Sequence, residues 1–437
     1  MIATTGGRQV FVKEVLGDAF DSQAEHFLHG NVDVDGEAIR WEAMIVNGKT
    51  RMYFGPFPAL LRIPLNLIYP AGRGTWSRIS GFLAGEIALI AFAGLVSNAL
   101  TASSLSARWR LLLGGACLIG FVFATPLLFL LGNLSIYSEA IIWGLAWSVA
   151  ALFFAWRCRR AEGRALTISL IGFSISAACA LLSRVTFGAP LVLVAPVLAM
   201  RLPRPNRSLS FAALLVPICA GIAFNVLLNY AKFGSLTGAS YDFYINSAHR
   251  EFARHHGIFD LRRVPYSSAD YFNLTPPSFH FHRPFLTVDR HPISYSAPFS
   301  LPLSETFISL PWSSAWLLAA AIMGIASLFW RGRSDYFLRW IAAALFAEFV
   351  CVLSYFALAE RYTADLCPFL LFCLVVFLSA GGIMLVRARC LLTALIVVSA
   401  VINLLAVSYW LGSDRNLPVE TQTFWRAIAG IKQTQIR

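Results

Sequence analysis

Apolar windows long enough to cross a hydrocarbon core of about 30 Å recur along this chain near 78–101, 109–132, 136–157, 208–231, 307–330, 336–360, 363–386 and 390–412. The stretch 165–200 is a single apolar run interrupted at Ser183-Arg184-Val185-Thr186, which predicts two short spans joined by a tight turn. Together they predict an all-α polytopic integral membrane protein of about ten transmembrane helices, without a heptad or solenoid repeat. The polar remainder divides the chain into five parts. Residues 1–76 are an N-terminal segment, 77–231 hold about six spans, 232–305 form one large loop, 306–412 hold four spans, and 413–437 are a tail.

Composition strengthens this reading. The chain is 57% hydrophobic and 13% charged, whereas a soluble domain carries about 25% charge. A formal net charge of +12 would suit nucleic acid, but the excess lies in short loops between apolar runs. The loops near 108–110, 157–164, 201–207, 331–339 and 387–389 hold fourteen Arg and two acids, Glu162 and Asp335. The short loops on the other side hold only Arg184 and Arg361. Basic residues stay in the cytoplasm, so 1–76, 232–305 and the tail are expected outside a bacterial inner membrane. No nucleic-acid partner is expected. The external N-terminal segment is either translocated by the first span or preceded by a further apolar helix upstream of Met1, and the second is expected.

The eight cysteines lie in apolar runs or at their ends, without zinc-like or disulfide-like spacing. All eight histidines fall in the first two external segments. His280-Phe281-His282 could set two imidazoles on one strand face, but partner spacing is lacking. Walker loops, Gly-rich dinucleotide turns, nucleophile elbows and HExxH are all absent.

Residues 10–28 read as an amphipathic helix, with Phe11, Val15, Phe20, Ala24, Phe27 and Leu28 mostly on one side. Glu14, Asp18, Asp21 and Glu25 follow at spacings of four, three and four, which predicts four carboxylates on the opposite face. Such a stripe could be a solvated face, a general base, or a site for a divalent cation such as Mg or Mn. Downstream, Tyr53-Phe54-Gly55-Pro56-Phe57-Pro58-Ala59-Leu60-Leu61-Arg62-Ile63-Pro64 has too many prolines to span and suits the membrane interface. Glu86 and Glu348 sit well inside apolar runs, where ionisable groups are costly. Glu139, Arg184 and Glu360-Arg361-Tyr362-Thr363-Ala364-Asp365 sit at outer helix mouths. The last group could be a local ion cluster, or its Arg could grip a phosphate through the planar fork.

Several short motifs carry a family resemblance. They are Ala24-Glu25-His26-Phe27-Leu28-His29-Gly30, Val46-Asn47-Gly48-Lys49, Tyr53-Phe54-Gly55-Pro56-Phe57-Pro58, Tyr137-Ser138-Glu139-Ala140, Ser183-Arg184-Val185-Thr186-Phe187-Gly188, Asn229-Tyr230-Ala231-Lys232-Phe233-Gly234 and Arg361-Tyr362-Thr363-Ala364-Asp365. With these, the chain from about residue 15 to about residue 386 resembles bacterial membrane glycosyltransferases of the GT-C type, which use polyprenyl-phosphate sugars. The resemblance implies inverting transfer from a lipid-linked sugar donor to an external glycan, lipid or protein acceptor. It implies an essential acid in the first external loop, the region of Asp18 and Asp21. Glu139, Arg184, Lys232, Arg361 and Asp365 are then the substrate-binding candidates, with the donor phosphate near Arg184, Lys232 or Arg361. The family's preceding span and frequent Asp-Glu pair are not in this sequence. Two other classes compete: a translocator of lipid-linked sugar or another solute, with Glu86 and Glu348 as coupling groups, and an O-antigen-type polymerase.

Overall fold

The computed structural model of the chain describes residues 2–202, 207–288, 303–330, 335–380 and 386–431. His291, Arg204, Arg331 and Arg333 lie outside the described residues. Helices follow in the order α1 (Ala19–Leu28), α2 (Gly36–Ile39), α3 (Phe57–Ile68), α4 (Ser77–Thr101), α5 (Ala107–Phe123), α6 (Leu127–Gly132), α7 (Ile136–Arg157), α8 (Gly163–Ser183), α9 (Val185–Met200) and α10 (Arg207–Phe233). Two loop helices, α11 (Ser247–His256) and α12 (Val264–Tyr271), precede α13 (Leu310–Ser313), α14 (Ala315–Trp330), α15 (Tyr336–Leu353), α16 (Thr363–Ser379), α17 (Val386–Ser413) and α18 (Val419–Ala429).

Among the described residues, seven helices are long and apolar enough to cross a membrane: α4, α7, α8, α10, α15, α16 with its lead-in turn, and α17. The chain is a polytopic, mostly helical membrane protein. The other three expected spans are shorter, with α5 at 17 residues and α9 and α14 at 16 each. The apolar run 109–132 does not form one helix, because Thr125 and Pro126 end α5 and start α6. The Ala124 carbonyl freed at this break accepts from Trp316 Nε1 at 2.8 Å and Ser314 Oγ at 3.2 Å. Buried backbone groups require such partners where water is excluded. The run 165–200 is indeed split, between Ser183 and Val185, with Arg184 extended at the joint.

Lateral position follows from what each helix presents. α16 and α7 lie at the centre, while α10 is peripheral, with only 22% of its apolar window buried. α4 turns Ala84, Ala88, Ala91, Leu95 and Ala99 inward at helical spacing, the small-residue seam typical of membrane helix contacts. At Gly324 a Cβ would stand 2.0 Å from the Cys373 carbonyl oxygen, so α14 and α16 touch backbone to backbone.

The N-terminal segment, the described part of the 232–305 loop and α18 gather at one end of the bundle. β1 (Met44–Val46) and β2 (Lys49–Arg51) form a hairpin through Asn47 (φ 51°) and Gly48 (φ 76°), the Asn-Gly turn that matches strand twist. Met44 bridges to Tyr244, and the Ile245 N–H donates to the Ala43 carbonyl at 3.0 Å, joining hairpin to loop. Arg78 ties the tail in by donating to Thr421 Oγ1 at 2.6 Å. At the opposite end, Asp335 pairs with Arg159 at 2.9 Å and Arg201 at 3.1 Å.

The expected helix over 10–28 is corrected: it starts only at Ala19. Leu16 adopts φ 56° with its side chain buried, and the Ile136 N–H donates to the Val15 carbonyl. Tertiary burial of Leu16 therefore overrides the local helical pattern, at the cost of a left-handed residue. Glu14 and Asp18 leave the helix face.

Candidate functional site

The four carboxylates expected in one stripe each find a separate cation. Glu14 pairs with Arg78 at 2.6 Å, Asp18 with Lys13 at 2.7 Å, and Glu25 with Arg73 at 2.6 Å. Asp21, 5% exposed, lies 3.5 Å from Arg62, which also donates to Glu139 at 2.5 Å. Burial raises the Asp21 carboxyl above its usual range against the opposing charge of Arg62, and burial likewise raises Glu14 against Arg78. Among the described residues no group of three or more His, Cys, Asp or Glu could hold a metal ion. The helix start at Ala19 is what disperses the expected stripe.

Beside this ion network, where the N-terminal segment and the 232–305 loop meet the bundle, lies a cavity of about 590 Å³. Arg184, Lys232, Arg361 and Glu348 line it, with Tyr53, Tyr137, Tyr241, Tyr355 and Tyr362. Its deeper walls are apolar: Ala189, Pro190 and Leu193 of α9, Leu228 of α10, and Ala344, Ala347 and Val352 of α15. Val185 and Leu193, both cavity-lining, are 52% and 51% exposed, so the hollow opens on the lateral surface of the bundle. Two shallower hollows of about 670 Å³, at Arg207–Leu215 and around Arg8–Val12, are larger but gather few polar groups. Convergent polar groups in an apolar concavity, not size, mark a ligand site.

The cations arrive from three different joints. Arg184 caps the break between α8 and α9; its Nε donates to Asp365 Oδ1 at 2.9 Å and Thr186 Oγ1 at 3.1 Å. Arg361 pairs with Glu305, whose side chain is half exposed, and stacks 4.6 Å from the Tyr137 ring centroid. The Tyr362 ring lies between both guanidiniums, 5.4 Å from Arg184 and 5.0 Å from Arg361. These cation–π contacts hold two like charges at one cavity wall. Lys232, at the end of α10 and 3% exposed, donates to the Met52 carbonyl at 3.0 Å. Gly55 lets the Tyr53–Pro56 stretch close the wall, because a Cβ there would stand 2.3 Å from the Leu182 and Ser183 carbonyl oxygens.

The local Glu360–Arg361–Asp365 cluster does not form. Arg361 turns to Glu305, Asp365 to Arg184, and Glu360 accepts from the Ile308 N–H at 2.8 Å. The three side chains leave the helix start in different directions. Of the expected substrate residues, Arg184, Lys232 and Arg361 line the cavity, Asp365 reaches it through Arg184, and Glu139 is held behind it by Arg62. Asp18 and Asp21 are not among its lining residues. Glu86 is exposed on the outward side of α4.

Glu42 is the group that the sequence pattern did not single out. It is 6% exposed and accepts from three phenols: Tyr53 at 2.7 Å, Tyr137 at 2.5 Å and Tyr244 at 2.9 Å. Burial and the Glu42 charge push the Tyr53 phenol well above its ordinary range, and burial pushes Tyr241 up to about 12. Both stay protonated donors at neutral pH.

The chain matches no protein-family model and no curated protein. Among solved structures it is similar to ArnT from Cupriavidus metallidurans bound to undecaprenyl phosphate, at 14% identity and a TM-score of 0.48. The match covers 96% of this chain and spans 65% of the ArnT chain.

Proposed function

We propose that this protein transfers a sugar from a polyprenyl-phosphate carrier to an acceptor outside a bacterial inner membrane. The supporting observation is the cavity itself, which sets Arg184, Lys232 and Arg361 around an apolar slot open to the bundle's side. A lipid phosphate needs both features in one place. On its α9 and α10 side the cavity is apolar, with Ala189, Pro190, Leu193 and Leu228, room for the first isoprene units below the headgroup. The Arg-rich loops at the opposite end argue that the cavity faces outward.

In this reading the guanidiniums of Arg184 and Arg361 and the ammonium of Lys232 neutralise the leaving phosphate. The acceptor oxygen bonds to the anomeric carbon as the bond from that carbon to the phosphate oxygen breaks, with inversion. The acceptor's proton passes to the phenol of Tyr53 or Tyr137 while that phenol gives its own proton to Glu42. Asp21, tied to Arg62, supports the wall instead of meeting substrate.

The test is turnover of decaprenyl phosphates carrying radiolabelled glucose, galactose or mannose by membranes from cells expressing the chain. Release of bare decaprenyl phosphate with label moved to an acceptor is expected. It should vanish in an Arg184→Gln/Arg361→Gln double variant that still inserts. Uptake of an intact labelled carrier without cleavage would overturn transfer in favour of translocation.

A further inference from the structure

Glu348 has no place in the chemistry above, yet it lines the same cavity. The residue is 4% exposed, and among the described residues neither carboxyl oxygen has a hydrogen-bond partner. It lies five residues before the end of α15, about 7.5 Å below the rim at 1.5 Å per residue. There it sits in the fields of Arg184 and Asp365. Arg184 Nε donates to Asp365 and Thr186, and no described residue bonds the Glu348 oxygens. A buried carboxyl without donors is costly, and in a membrane span the cost is higher still. Such a group persists where a ligand brings the missing donors.

Only one part of the ligand can do so. A phosphate held at Arg184 has two substituents, a polyprenyl chain and a sugar. The chain is hydrocarbon and fits the apolar side at Leu193 and Leu228. The sugar carries several hydroxyls, and a carboxyl group offers oxygens that can accept from them.

We propose that Glu348 is the sugar-reading residue of the cavity, accepting hydrogen bonds from hydroxyls of the transferred sugar while the phosphate rests on the cations above. This rests on the donor reading of the preceding section. It assigns Glu348 to specificity, and not to proton transfer or ion coupling.

The test separates sugar from carrier. Affinities of the full-length protein in detergent are measured for bare decaprenyl phosphate and for decaprenyl phosphates bearing glucose, galactose or mannose. In the wild type at least one glycosylated carrier should bind more tightly than the bare one. Glu348→Leu should weaken that carrier about twofold to tenfold, the range for an ordinary hydrogen bond. Bare carrier should bind equally well, because it offers Glu348 no hydroxyl. Thermal stability should hold or rise, since the variant removes an unpartnered buried carboxyl. Glu348→Gln, which keeps shape and one acceptor, should fall between. Equal weakening of bare and glycosylated carriers would overturn the assignment, as would unchanged affinity for both or a fall in stability that tracks the loss. A wild type that binds no polyprenyl phosphate at all would instead bring down the donor reading, and this inference with it.

Discussion

The two cavity arginines are chemically alike but differently supported, and the difference predicts opposite outcomes for one substitution. Arg361 pairs with Glu305, whose side chain is 49% exposed and can return to water when the pair is lost. Partners of that kind contribute about 0–1 kcal/mol, so Arg361→Gln should leave the unfolding midpoint nearly unchanged. Arg184 pairs with Asp365, whose side chain is fully buried and whose Oδ2 has no partner among the described residues. Arg184→Gln strands that carboxylate, which costs about 3–5 kcal/mol. For the donor phosphate the two should be equals. Each loses a charge-assisted bond of about 1.5–3 kcal/mol, or roughly tenfold to 150-fold in affinity. Decaprenyl phosphate titration and thermal unfolding, both on purified protein in detergent, read the two effects separately. Arg184→Gln/Asp365→Asn should then regain most of the stability while remaining a weak binder. If Arg361→Gln binds decaprenyl phosphate as the wild type does, the cavity is not the phosphate site and the reasoning fails.

Glu42→Gln should cut transfer by about 10²–10⁴-fold at unchanged donor affinity, whereas Asp18→Asn and Asp21→Asn should retain it; loss in Asp18→Asn with survival of Glu42→Gln would reject the tyrosine relay. Asp21 tests the ion network. Its folded-state pKa is raised above 3.8 by burial, so the unfolded chain releases the proton first, and stability falls as pH climbs from 3.8 through the folded value. Asp21→Asn should therefore be the more stable protein at pH 7, with the gap closing toward pH 4 in thermal melts; a variant less stable at pH 7 would contradict this. Sidedness is tested with an impermeant maleimide on intact cells, where Leu274→Cys should label and Glu162→Cys should not; the reverse pattern would invert the orientation.

What the sequence made legible is what the bilayer enforces locally. A span must be a run of about 20 apolar residues, so most helices could be read directly, and so could the break at Ser183-Arg184. An arginine at a helix mouth has few alternatives to a pair or a ligand, which is why Arg184 and Arg361 stood out. The acidic stripe failed for a nonlocal reason. Its spacing was helical, but Leu16 is buried with φ 56° and Ile136 bonds the Val15 carbonyl beside it, and no periodicity records that. Val46-Asn47-Gly48-Lys49 carried a hairpin turn signal that resemblance alone picked out. Glu42 was illegible in principle: its three phenols come from positions 53, 137 and 244, brought together only when the N-terminal segment, α7 and the 232–305 loop meet. The same holds for Asp365, whose partner lies 181 residues away and not in its own motif. Both cases have one physical cause. In a membrane bundle the apolar contacts set each helix by its own composition. The polar contacts are few, buried and costly when unmade, so they form between whichever distant groups the packing brings within reach. That makes Glu348 informative: packing brought it to the cavity and left it no partner among the described residues, and a group left so is where we propose that the ligand's own donors belong.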